Sequence, residues 1–430
     1  MEKIEVLYTA FTESTGVSID TRNIKEGNLF FALKGPQFNA NEFAKIALEN
    51  GASKAVVDDE KYFEDDGRFI LVENSLEALQ QMANHHRHQF DIPFIGITGS
   101  NGKTTSKELI HAVLEKKFKT VATSGNYNNH IGVPLTLLRV DVTTEIAVIE
   151  MGANRPGDIA ELTAIAEPTH GLITNIGKAH VGTFGGFDNV IRTKSELYHH
   201  LIQTDGVVWI NSQDYILSNM AKRFKKPLFY PGEGDFYHCE FISANPFIKL
   251  KNEGGSLIET SLLGKYNFEN IAVALCIGKY FEIDPQLAAE AVSAYVPSNN
   301  RSQIIKKGST TIVLDAYNAN PSSMNSAIDN INGMDGDRKI LILGDMNELG
   351  NDSDEEHKDL GLKVKEMGFN EVFFCGKLIS PAAEAFLQAK YYETKEAMAS
   401  ELAKYDFKDA LVLIKASRSL GLETIVDVIN

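Results

Sequence analysis

Residues 93–118, PFIGITGSNGKTTSKELIHAVLEKKF, join an apolar β-branched run to a glycine-bearing turn, a lysine, two threonines and an amphipathic stretch. These residue types in this order suit phosphate. Glycines let backbone N–H groups converge on phosphate oxygens, a helix N-terminus adds partial positive charge, a lysine neutralises the terminal oxygens, and a hydroxyl ligates Mg²⁺. Gly99, Ser100, Asn101, Gly102, Lys103, Thr104 and Thr105 are the candidates. The general phosphate-loop spacing asks for glycine five residues before Gly102; Ile97 stands there, with glycines at Gly96 and Gly99 instead. Magnesium at such a loop needs a carboxylate from the end of a neighbouring strand. Glu150, closing the run EIAVIE, is placed for it, and His180 follows the next apolar run beside glycines that would let backbone approach a ligand. Taken alone, a strand-end glutamate is more often solvated and a lone histidine more often structural.

To hold these groups the chain must supply parallel strands with crossover helices. Short β-branched runs alternate with amphipathic stretches almost from end to end, so the class is α/β. NLFFAL and AVVDD read as strands around the helical FAKIALENGA, and SLEALQQMANHHRHQF shows helical spacing. Asp91-Ile92-Pro93 breaks that helix, bounding a small mixed α/β unit at 1–91. From 92 to 297, PFIGIT, EIAVIEM, HGLITNI and GVVWIN alternate with segments such as DIAELTAIA, as a central parallel-sheet ATPase-like domain requires. Within it, FYHCEFISANPFIKLKNEGGSLIETSLL reads as antiparallel strands turning at Glu253-Gly254-Gly255. Beyond SNNRSQ, residues 298–430 carry four strands, in TTIVLDAY, RKILILGDM, EVFFCG and DALVLIKAS, a Rossmann-like order.

Composition closes off other classes. At 430 residues and roughly 150 per domain, about three domains are expected. A net charge of −16 repels nucleic acid and anionic membrane. Cys239, Cys276 and Cys375 form no CxxC pair and read as reduced core thiols. No stretch reaches the ~18 apolar residues of a membrane span, and the start shows no signal-peptide pattern, so a cytoplasmic location is expected.

The segments TGSNGKTT, SGNYNNHIGVPLTLL, EMGANRPGDIAELTAIAEPTHGLITNIGKAHVGTFG, RTKSELY, LDAYNANP, GDMNELG and KASRS resemble, in order, the Mur ligases of peptidoglycan synthesis. The resemblance spans essentially the whole chain and accounts for the loop, whose family form is GTNGKT. It implies an ATP-dependent amide ligase joining D-alanyl-D-alanine to UDP-N-acetylmuramoyl-tripeptide through an acyl phosphate, with two Mg²⁺ ions and acting as a monomer. AYNANPSS and GDMNELG separate that activity from relatives adding lysine or diaminopimelate to the dipeptide precursor, the first alternative. The second, from another class, is a regulatory ATPase that forms no amide.

The resemblance also implies roles. Lys103 and Thr104 would hold ATP phosphates and Mg²⁺, with Glu150 and His180 as metal ligands. Lys194 of RTKSELY would carry a carbamate, whose oxygens suit Mg²⁺ where an ammonium would be repelled; residue types alone leave it an exposed helix-start lysine. Asn267 and Asn270 would contact adenine, and Arg301 and Asp315 would reach the γ-phosphate and the ribose from the third domain. Tyr266 stands where many members have histidine, His130 where an acid is common, and Ala416 where glycine is expected. Asn126, Asn128 and Asn129 would line the muropeptide side. Ser18, Asp20, Arg22 and Lys34 would bind the uridine part. Tyr317, Asn318, Asn320, Lys415, Ser417 and Arg418 would face the incoming dipeptide.

Overall fold

The computed structural model describes residues 2–178, 181–297 and 300–429. Three helix-wrapped sheets follow one another along the chain. The first is parallel and four-stranded, in the order Val17–Ser18, Leu29–Phe31, Lys54–Val57, Phe69–Leu71. Leu29, Phe30 and Phe31 are all buried, which is what a parallel strand covered on both faces demands. Helix Ser75–Arg87 buries Ala78, Leu79, Met82, Ala83 and His86, a stripe at i, i+3 and i+4, and Asn74 caps it by accepting from the N–H groups of Leu76 and Glu77. That stripe merges with the central unit's core at Val133, Leu137 and Ile165. Arg87 completes the seam, donating to the carbonyls of Ala166 and Glu167 at 3.1 Å each. Helix Glu2–Thr12, which was not singled out from sequence, packs on the same core through Leu7, Ala10 and Phe11.

The central sheet is six-stranded and wholly parallel, ordered Leu228–Tyr230, Val207–Asn211, His170–Ile173, Phe94–Thr98, Ile146–Glu150, Thr120–Ala122. Strand Phe94–Thr98 lies in the middle, and the chain order reverses on its two sides. Ligands of α/β sheets bind outside the carboxyl ends of strands at such a point. The expected insertion is present as strands Glu240–Ala244, Phe247–Lys251 and Leu257–Leu263, antiparallel and turning through 252–256. Phe247 and Leu263 pack into the core of the third unit.

The third sheet corrects the expectation of four strands. It has six, ordered Gln303–Lys307, Thr310–Leu314, Leu411–Lys415, Lys339–Gly344, Glu371–Cys375, Lys390–Tyr392. The two extra strands are edges. QIIKK is charged and runs antiparallel to its neighbour, and KYY is only three residues long, so neither shows the apolar run of a central strand. The three cysteines are buried and free. No helix among the described residues is long and apolar enough to cross a membrane.

Candidate functional site

One cleft of about 1250 Å³ opens where the carboxyl ends of the central and third sheets face each other. Its floor is the loop after strand Phe94–Thr98. Gly99 and Gly102 have φ of +146° and +78°, and a Cβ on Gly102 would lie 2.5 Å from Asn270 Oδ1, so only glycine fits. The loop is zipped to the turn after the adjacent strand: Ser100 N–H donates to Asn175 O, Asn101 N–H to Asn175 Oδ1, and Thr174 Oγ1 to Asn101 O at 2.6 Å. Helix Lys103–Leu114 then begins, so its N-terminus faces the cleft.

Lys103 Nζ donates to the carbonyls of Gly99, at 2.6 Å, and Ser100, at 3.2 Å. Burial lowers its pKa to about 8; Glu150 opposes that shift and Arg301 adds to it. Thr104 Oγ1 donates to Glu150 Oε1 at 3.1 Å, as does Asn128 Nδ2 at 2.7 Å. Glu150 Oε2 is buried with no hydrogen-bond partner. A buried, unpaired carboxylate oxygen beside a phosphate loop fits Mg²⁺, which takes one or two protein carboxylates and completes its shell with phosphate oxygens and water. The described residues hold no group of three or more His, Cys, Asp or Glu side chains suited to a metal, so protein ligation would rest on few groups. His180 lies outside the described residues.

Lys194 is not an exposed helix-start residue. It sits within helix Phe187–Gln203 on the stripe Val190, Lys194, Leu197, Tyr198, Leu201, with 2% of its surface exposed. Its Nζ lies 5.7 Å from the Phe184 ring centroid, and among the described residues nothing accepts a hydrogen bond from it. Desolvation first, then the Lys103 charge, hold its pKa well below the usual lysine range. Burial thus favours the neutral amine over the ammonium, and the neutral form is the one that adds CO₂. The signal was in the sequence: Lys194 stands on the apolar face of VIRTKSELYHHLI.

From the third unit, Arg301 stacks over Tyr317 with 3.7 Å from guanidinium carbon to ring centroid, and its Nε is buried without a partner. Arg418 lies 4.9 Å from the same ring. Asp315 accepts from Lys415 Nζ at 2.6 Å, and Lys415 also donates to Asn318 O at 3.1 Å. Lys415 lines the cleft and ties the two strand ends together through these bonds. Ser417 accepts from Asn347 N–H and is buried outside the cleft lining. Asn320 caps helix Pro321–Gly333 and donates across to Asn101 Oδ1 at 2.8 Å. Lys178 N–H meets Ser322 Oγ at 3.2 Å, and its ammonium pairs with Glu356 at 2.8 Å. The third unit thus rests directly on the phosphate loop.

Asn267 and Asn270 line the cleft, buried and joined: Asn270 Nδ2 donates to Asn267 Oδ1 at 2.8 Å, and Ser106 Oγ donates to Asn270 Oδ1 at 2.9 Å. Asn126, Asn128 and Asn129 also line the cleft, with Arg155, Asp158 and Glu161, and Asn129 Oδ1 accepts from the N–H groups of Ile131 and Gly132 where helix Gly132–Leu137 starts. Ser18, Asp20, Arg22 and Lys34 are not in the cleft lining. Asp20 and Arg22 pair with each other at 2.7 Å, and Lys34 pairs with Asp58 at 3.0 Å. Several groups were not singled out from sequence. Asn175 and Thr174 brace the loop, and Lys107, buried in the loop's helix, donates to Thr123 O at 2.7 Å. Glu196 accepts from Gly157 and Ala160 N–H, tying the Lys194 helix to helix Asp158–Ala166. None carries a local signal, because each matters only through a partner distant in the chain.

A glycine-bearing loop and helix N-terminus at a switch point, sharing one cleft with an arginine from a second α/β unit, is the geometry of a nucleotide-binding enzyme that works between domains. Residues 13–87 match the model "Mur ligase family, catalytic domain", 97–278 "Mur ligase middle domain" and 300–418 "Mur ligase, glutamate ligase domain". The UDP-N-acetylmuramoyl-tripeptide–D-alanyl-D-alanine ligase of Bacillus subtilis (strain 168) is 35% identical over 96% of this chain and 92% of its own. That of Escherichia coli (strain K12) is 32% identical, covering 95% and 92%. MurF from Acinetobacter baumannii superposes with a TM-score of 0.87 at 28% identity, covering 99% of this chain and 97% of that one. The MurF ligase of Thermotoga maritima in complex with ADP gives 0.84 at 28%, covering 97% of each. The chain belongs to the Mur ligase family.

Proposed function

We propose that this chain is an ATP-dependent ligase that joins D-alanyl-D-alanine to UDP-N-acetylmuramoyl-tripeptide in peptidoglycan precursor synthesis. The observation that carries the reading is the cleft in which Lys103 and Glu150 of the central unit meet Arg301 and Asp315 of the third, with the buried Lys194 behind it, close enough to Lys103 to feel its charge. The tripeptide carboxylate attacks the γ-phosphorus of ATP, an acyl phosphate forms and ADP leaves. The dipeptide amine then attacks the acyl carbon, and phosphate departs from the tetrahedral adduct. Catalysis is positioning and charge stabilisation. Lys103, with the loop N–H groups of 99–105, neutralises the transferring phosphoryl oxygens, and Arg301 meets them from the other wall. Magnesium, when bound, would supply positive charge that screens the phosphoryl oxygens. Thr104, Glu150 and a carbamate on Lys194 would hold it, with His180 joining them by family resemblance; two ions are expected. The unpaired Glu150 Oε2 and the depressed pKa of Lys194 support those assignments.

Asn267 and Asn270 are read as the adenine wall and Asp315 as the ribose contact. Asn126, Asn128 and Asn129 face the muropeptide. Tyr317, Asn318, Asn320 and Arg418 face the dipeptide, with Lys415 and Ser417 supporting them from below. In the division proposed here, 1–91 binds the uridine end through Ser18, Asp20, Arg22 and Lys34, 92–297 binds ATP, and 298–430 closes on it. The protein is read as a cytoplasmic monomer.

The deciding experiment follows phosphate release from ATP·Mg²⁺ with each acceptor alone and with both. Release that requires the muropeptide and D-alanyl-D-alanine together, with stoichiometric amide, is the expected result. Release without either would instead indicate a regulatory ATPase, and use of lysine or diaminopimelate with the dipeptide precursor would indicate the neighbouring ligase.

A further inference from the structure

We infer that Tyr266 is a positioning residue that clamps Ser302 across the boundary between the central and third units and thereby aims Arg301 into the cleft. Tyr266 immediately precedes helix Asn267–Tyr280, whose first turn lines the cleft beside the phosphate loop. Its hydroxyl lies 2.7 Å from Ser302 Oγ. The ring has a seat made for it: Gly264 has φ +78°, and a Cβ there would sit 2.3 Å from the Tyr266 ring. Burial raises the phenol pKa well above its ordinary value, so the hydroxyl remains a neutral hydrogen-bonding group across the working pH range.

The far end of this contact is backbone under strain. Asn300 and Ser302, flanking Arg301, have φ of +57° and +49°, a region non-glycine residues leave unless several contacts hold them there. Those contacts are present. Tyr317 N–H donates to Asn300 O at 3.2 Å, Ser302 N–H donates to Asp315 Oδ1 at 3.2 Å, and Tyr266 holds the Ser302 hydroxyl. The first two bonds lie within the third unit; the Tyr266 bond alone of the three ties this turn to the nucleotide side. Between the two strained residues Arg301 leaves Nε buried and unpartnered, with its charge close enough to Lys103 to lower that lysine's pKa. A side chain so presented is held ready for an anion between the two cations.

This inference rests on the reading of Arg301 as a phosphate contact, and a double-mutant cycle separates the two. Wild type, Tyr266→Phe, Arg301→Ala and the double variant are compared by single-turnover ADP formation with both acceptors present, and by ADP affinity. ADP lacks the γ-phosphate, so its binding is blind to Arg301. Tyr266→Phe is expected to lower the single-turnover rate about tenfold, leave ADP affinity within twofold, and change the Arg301→Ala rate by less than twofold. Equal losses in both backgrounds, or none in either, would overturn the clamp while leaving the Arg301 reading in place. Arg301→Ala with wild-type turnover would bring down the Arg301 reading and the clamp with it. Ser302→Ala removes the same bond from the other side; it should reproduce the Tyr266→Phe loss without adding to it, and an additive loss counts against the clamp.

Discussion

Lys103 and Lys194 are both lysines removed from water, yet their environments ask opposite things of them. Lys103 is held by loop carbonyls and burial lowers its pKa to about 8, so arrival of a polyanion raises it again. ATP binding at pH 8.5 is therefore expected to take up about three-quarters of a proton, and affinity should fall as pH rises above about 8. Calorimetry in two buffers of different ionisation enthalpy measures this, and Lys103→Met should abolish the uptake. Lys194 has no hydrogen-bond acceptor among the described residues, and its burial disfavours the ammonium. Lys194→Ala should cost at least 100-fold in turnover, with partial rescue by short carboxylates that supply the missing oxygens. Lys194→Arg should not restore activity, because arginine cannot form a carbamate; an active arginine variant would show that charge is what the position provides. Gly102→Ala sets a Cβ against Asn270 at a φ of +78° and should lower kcat/KM for ATP more than tenfold, read from initial rates.

At the scale of elements, hydrophobic spacing was a good guide wherever an element buries one face. Helix Ser75–Arg87 repeats its apolar residues at i, i+3 and i+4, and its stripe joins two cores. Leu79 is fully buried within it, so Leu79→Ala should cost about 2–5 kcal/mol by lost transfer energy and cavity formation, seen as a lower thermal midpoint. The same logic placed the central strands of both large sheets. It failed for Gln303–Lys307 and Lys390–Tyr392, where an edge position relaxes the demand for apolar residues. Lys194 shows the cost of weighing residue type above phase: its place on the apolar stripe of Phe187–Gln203 marks it as buried.

For the whole molecule, the third unit meets the phosphate loop through polar pairs, Asn320 with Asn101, Ser322 and Glu356 with Lys178, while Phe247 and Leu263 of the insertion enter its core. Small polar contacts hold one arrangement only weakly against opening, whereas a ligand spanning both units favours the closed one by its differential affinity. Small-angle scattering should show a smaller radius of gyration with ATP·Mg²⁺ and muropeptide than with neither, and unchanged dimensions would count against closure on ligand. By itself the sequence determined the α/β class, the phosphate loop with its strand and helix, and the ordered motifs that mark the family. All of these are local, because chain neighbours alone set a loop, a period or a spacing. Only the tertiary structure decided that Lys415 is occupied by Asp315, that Asn175 braces the loop, and that Tyr266 reaches Ser302. Each depends on a partner far along the chain, and desolvation and hydrogen bonding act between groups adjacent in space whatever their separation in sequence.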